Sequence, residues 1–145
     1  MTDTTPSAAP TRVLVTGSVR WRDRQMIEHA LAEWAANGPI DVITGMASGA
    51  DAIARAWAAR TGVACRAEPL GEGTYPVPMH AYNERMLSWG PDVVLAFKNK
   101  FDTDWASTDC IAGTEHMCRI AAEAGVLVLL NTNNLLGAAS VRNEG

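Results

Sequence analysis

The chain has 145 residues, 48% of them apolar, enough to bury one core of ordinary size without disulfides or structural metal. Twelve basic against sixteen acidic side chains leave a net charge of -4. Without a basic excess to neutralise backbone phosphates, a nucleic-acid partner is not expected. The cysteines Cys65, Cys110 and Cys118 are odd in number and have no CxxC spacing, which argues against a zinc ribbon or a disulfide framework and predicts reduced thiols.

Met1 to Pro10 is rich in Thr, Ser, Ala and Pro, lacks an apolar block, and reads as a tail with no signal peptide. The longest aliphatic run, Val126 to Leu130, is too short to cross a bilayer, so no membrane contact is expected and the location implied is cytoplasmic. Ten Arg against two Lys, with abundant Ala, suggest a high-GC source such as an actinobacterium or one of its phages.

Thr11 to Thr16 (TRVLVT), ending at Gly17, has the aliphatic run of a buried parallel strand. Asp23 can cap a helix whose apolar positions Ile27, Ala30, Leu31 and Trp34 recur at helical spacing, and Gly38-Pro39 stops it. A strand follows at Ile40 to Thr44. Gly45 then turns the chain into a helix in which Ser48 and Asp51 stand in capping-box spacing and Gly62 ends the run. Val63 to Glu68 predicts a third strand near an edge, and Pro69 to Pro78 a loop. Met79 to Trp89 reads as a helix and Asp92 to Phe97 as a buried strand. A long polar loop, Lys98 to Ala112, precedes a helix beginning near Gly113-Thr114, and Val126 to Leu130 is the fifth strand.

This alternation predicts an α/β Rossmann-like three-layer sandwich over residues 11–131, with 132–145 left as a C-terminal tail. Its parallel sheet of about five strands should have the order 3-2-1-4-5. The switch point then lies between the first and fourth strands, and the crevice at the strands' carboxyl ends should gather Gly17-Ser18, Gly45 to Asp51 and Gly113-Thr114.

Each of those turns joins a glycine to a hydroxyl residue at a predicted helix start, where backbone N–H groups can hold an anion. Gly17, Ser18, Gly45, Ser48, Gly49, Gly113 and Thr114 are therefore candidate ligand contacts. Arg20 and Trp21 could add a charge and a stacking ring, and Asn83 and Arg85 could reach the same crevice from the third helix. Asp51 is either a ribose-binding or acid–base carboxylate or a helix-capping acid. Glu115 is either an acid catalyst or a complement to the helix dipole. Gly45 to Asp51 has neither GxGxxG spacing nor a P-loop lysine, which argues against a generic NAD or ATP site. His116, Cys118 and Cys110 lack a structural zinc pattern, so neither metal nor a resident cofactor is expected. Trp105, in the polar loop, is a candidate lid residue.

The segments VLVTGSVRW, ITGMASGADAIARAWA, NERML, DVVLAF and AGTEHMCRIAAEAGVLVL together resemble the SLOG superfamily, over about Arg12 to Leu130. That Rossmann-like group includes the Lonely Guy phosphoribohydrolases and the DNA-processing Smf proteins, and the likeness is to its small YspA-type, cpYpsA-related bacterial and phage branch. The resemblance implies a nucleotide-derived ligand, with Gly17, Ser18, Gly45, Gly49, Asp51, Asn83, Gly113 and Thr114 at motif positions, and a homodimer or higher homo-oligomer. Val19 and Tyr82 stand where the branch has Arg, and Arg20 and Arg85 lie one and three residues away. Met117 stands where the phosphoribohydrolase pattern has Glu.

The resulting expectation is a module that binds, senses or sequesters an ADP-ribose or nucleoside-phosphate type molecule. The alternatives are an N-glycosidase, phosphoribohydrolase or nucleoside deoxyribosyltransferase-like enzyme using Glu115 or Asp51, and a DNA-processing accessory.

Overall fold

The computed structural model describes residues 9–69, 79–99 and 109–133. Strands and helices alternate as β1 (Thr11–Gly17), α1 (Arg24–Ala36), β2 (Ile40–Gly45), α2 (Ala50–Thr61), β3 (Cys65–Glu68), α3 (Met79–Leu87), β4 (Val93–Asn99), α4 (Asp109–Glu123) and β5 (Leu127–Asn133). The five strands form one parallel sheet in the order β3-β2-β1-β4-β5, as the sequence predicts. Hydrophobic period fixes the layers. Val13, Val15, Val42, Leu95 and Phe97 meet Ile27, Leu31, Ala54 and Trp57 of α1 and α2 on one face. On the other face Leu14, Ile43 and Val94 meet Tyr82, Met86, Met117 and Ala121 of α3 and α4. Each large apolar side chain buried fully in these layers contributes about 1.5–3 kcal/mol.

Local chemistry sets most element ends. Asp23 caps α1 by accepting from the Met26 N–H at 3.2 Å, and Gly62 closes α2 in the left-handed conformation. Two helix starts differ from the sequence reading. The N-cap of α2 is Gly49, which offers no side-chain bond, so Ser48 is exposed before the helix and does not cap it. The fourth helix starts at Asp109, so Gly113 and Thr114 lie in its second turn and their N–H groups face the preceding turn of the helix, where no anion can reach them. Cys110, Ile111 and Ala112 contain no breaker, and the helix extends through them. Pro69 lies within the described residues, but the rest of the predicted 69–78 loop lies outside them, as does Trp105 with the centre of the long polar loop. Among the described residues no helix is long and apolar enough to cross a membrane.

Candidate functional site

Burying a polar side chain is costly unless it is satisfied, so the places where a fold does this are informative. Thr16, Ser18, Thr44, Asp51 and Glu68 are all buried, and all lie at or just beyond the carboxyl ends of β1, β2 and β3. The other buried polar residues among those described, Asn83, Thr114 and His116, lie on α3 and α4. None is at the amino ends of the strands.

The first two turns are locked together. The Ser18 carbonyl accepts from both Trp21 N–H (3.2 Å) and Ala50 N–H (3.1 Å), so the first turn occupies the first amide of α2. The Ser18 hydroxyl accepts from Arg20 N–H at 3.0 Å. Gly49 has φ +74, and a Cβ there would overlap the Ser18 carbonyl and the Val19 backbone. A Cβ on Gly17 would overlap the Phe97 carbonyl and lie 2.8 Å from Ala50 Cβ. The close approach expected of a ligand at these glycines is thus made by the protein's own backbone and side chains.

Around Gly45 the chain gathers its charged groups. A Cβ on Gly45 would lie 2.7 Å from Asp51 Oδ2 and would overlap the Tyr82 hydroxyl, so the two side chains converge over this residue. Tyr82 Oη accepts from Met46 N–H at 2.9 Å and donates to the Glu68 carbonyl at 2.8 Å, tying the β2–α2 turn to the end of β3. Arg55 reaches back from α2 and donates through Nη1 to the carbonyls of Gly45 (2.7 Å) and Ala47 (3.1 Å). Glu68 is held by Arg85 Nε at 2.6 Å, and the Arg85 guanidinium lies 5.8 Å from the Tyr82 ring centre.

Burial raises the Asp51 carboxyl from 3.8 to about 7, against the opposing effects of a backbone hydrogen bond from Ala47 and the Arg55 charge. The Thr44 hydroxyl beside it donates to the Val15 carbonyl at 2.8 Å. That leaves the hydroxyl oxygen as an acceptor toward Asp51, which suits the protonated acid. Burial likewise pushes the Tyr82 hydroxyl above its usual value.

The other candidates separate from this cluster. Trp21 is 2% exposed, with its ring edge-on to Phe97 at 5.5 Å and its Nε1–H donating to the Asp23 carbonyl at 2.8 Å. The indole surface expected to stack on a base is covered. Arg20 is exposed beyond the first turn. Asn83 donates to the Gly113 carbonyl at 2.7 Å and meets His116 Nδ1 at 3.2 Å, so it joins α3 to α4. Glu115 is exposed and paired with Lys98. Cys65 and Cys118 are free thiols.

Tyr82, Thr44, Glu68 and Arg55 escaped the sequence reading as site residues. Tyr82 did carry a signal, a phenol where the related branch has Arg, but its partners at Met46 and Glu68 are set by tertiary packing. Tyr82→Phe removes both hydrogen bonds and leaves the Met46 donor and Glu68 acceptor to be satisfied otherwise. The expected loss is about 1–3 kcal/mol in urea unfolding, and a loss within error would show that the bridge adds nothing.

Residues 11–70 match the family model described as YspA, cpYpsA-related SLOG family, a segment that holds β1 to β3 and with them Gly17, Ser18, Gly45 and Asp51. No curated protein and no solved structure matches the chain. Over this segment, set in a five-stranded parallel sheet of Rossmann-like order, the chain is similar to the SLOG family.

Proposed function

We propose that the carboxyl-end cluster binds a nucleotide-derived small molecule of the ADP-ribose or nucleoside-phosphate type, and that the chain senses or sequesters it. The observation that carries this reading is the concentration of buried polar side chains at that end of β1, β2 and β3. The family match runs through the same strands and turns. In this reading Asp51 and the β2–α2 turn contact ribose hydroxyls, while Ser18 and Arg20 border the phosphate side. A panel of ADP-ribose, nucleoside monophosphates and nucleosides tests it by thermal shift. A ligand at a hundred times its Kd should add about 2.7 kcal/mol of stability, and a flat response across the panel would sink the reading.

A second reading, an enzyme cleaving a glycosidic bond, is favoured by one observation. Asp51 has its pKa near neutrality, where a general acid or base works best. Glu115, exposed and held by Lys98, is the weaker candidate for that role. Free base released from nucleosides or nucleotides by the wild-type protein, and abolished by Asp51→Asn, would establish the enzyme.

A further inference from the structure

At the opposite end of the sheet, on the face covered by α3 and α4, the short helix α3 leaves a cleft of about 240 Å³. Arg12, Asp41, Ile43, Arg66 and Trp89 line it, from the amino-terminal parts of β1, β2 and β3 and the chain beyond α3. Two guanidinium groups are fixed there by one tryptophan. The Arg66 guanidinium lies 3.7 Å from the centre of the Trp89 ring, and Arg12 Nη1 donates to the Trp89 carbonyl at 2.8 Å.

The backbone of Arg12 is held as well. Its N–H donates to Asp92 Oδ2 at 2.9 Å, and its carbonyl accepts from Asp92 N–H at 2.8 Å. The Arg66 side chain makes no hydrogen bond or ion pair among the described residues, so its guanidinium N–H donors are unspent while the Trp89 ring holds it. A stacked guanidinium has lost much of the rotamer freedom that normally weakens a surface arginine contact. Two held guanidinium groups facing one cleft, Arg66 against the ring and Arg12 on the carbonyl, suit the bidentate geometry of an oxyanion. Among the described residues Asp41 is the only acid lining the cleft, so two positive charges outweigh one negative.

We infer that this cleft is a second ligand site, separate from the carboxyl-end cluster, and takes a small molecule with a phosphate or carboxylate head held between Arg12 and Arg66. Trp89 orients both arginines and acts as a positioning residue. The site stands whether or not the carboxyl-end site binds a nucleotide, because the two share no residue.

The test is an NMR titration of the full chain with inorganic phosphate and, separately, with succinate, following the Arg12 and Arg66 Nε–H and the Trp89 indole N–H signals. Saturable shifts of these signals with either probe are expected, and the probe that binds tells phosphate from carboxylate. Arg66→Gln should weaken binding about tenfold or more, and Asp41→Asn should strengthen it by about threefold. The opposite signs separate charge recognition from general damage to the fold. Shifts that stay linear in probe concentration, shifts confined to Ser18 and Arg20, or equal affinity in all three proteins would overturn the inference.

Discussion

Asp51→Asn is expected to stabilise the protein at alkaline pH and to change it little in acid. The carboxyl holds its proton up to about 7 in the folded chain but releases it near 3.8 when unfolded. Between those values the folded state binds more protons, so stability falls as pH rises and levels off above the higher value. A gap of that size corresponds to about 4 kcal/mol. Asn is neutral at every pH, accepts from the backbone as the carboxyl does, and can donate to the Thr44 oxygen that faces it. Urea unfolding at about pH 4.5 and about pH 8 should therefore show the variant gaining about 3 kcal/mol relative to wild type between the two conditions. Parallel pH profiles for the two proteins would show that Asp51 ionises in the folded state as it does unfolded. A buried carboxyl that weakens the fold as it ionises supports the proposed ligand site, where stability is given up for binding.

Gly49→Ala is expected to be the most damaging of the conservative glycine changes. At φ +74 and ψ -128 an alanine is strained, a cost of about 1–3 kcal/mol. Its Cβ would also press on the Ser18 carbonyl and the Val19 backbone, groups that cannot swing aside as a flexible side chain would. The two turns must separate to admit it, which endangers the Ala50 N–H to Ser18 carbonyl bond. A combined loss of about 3 kcal/mol or more lowers the melting temperature by roughly 6–12 °C in a domain of this size. A change of under about 1 kcal/mol would mean that the turns are not locked. Gly62→Ala is the control. Gly62, in the left-handed region at φ +80 and ψ 14, has nothing within 4 Å of its Cβ position, so its alanine variant should cost only about 1 kcal/mol.

The parallel sheet and its order were legible because the buried strands are nearly continuous aliphatic runs separated by capped helices. VLV in β1 and VVLAF in β4 have no polar alternation, which suits strands covered on both faces. Asp23 and Gly62 marked helix ends by their own local chemistry. The start of α4 was not legible, because nothing in Cys110 to Ala112 distinguishes a loop from an added helical turn. Gly113 looked like a helix start only for want of a competing signal.

The sequence gathered Gly17, Ser18, Gly45 and Asp51 at the carboxyl ends of the strands, as the fold does, but could not assign each residue's partner. Trp21 beside two arginines looks like a stacking platform until Phe97, brought alongside by the β1–β4 pairing, takes its edge. Glycines after strands signal a close approach, yet only the tertiary structure shows that Phe97, Ser18 and Tyr82 make it. The spacing of Ser48 and Asp51 suggested a capping pair. In the structure Gly49 holds the cap position, and Asp51 turns inward to the β2–α2 turn.

Ligand binding at the buried polar end of β1, β2 and β3 can be read residue by residue from amide chemical shifts. Titrating the ¹⁵N-labelled chain with ADP-ribose and the nucleoside monophosphates should move Ser18, Arg20 and the Gly45 to Asp51 amides together and saturably. Absence of saturable shifts across that panel, or shifts confined to other parts of the fold, would contradict it.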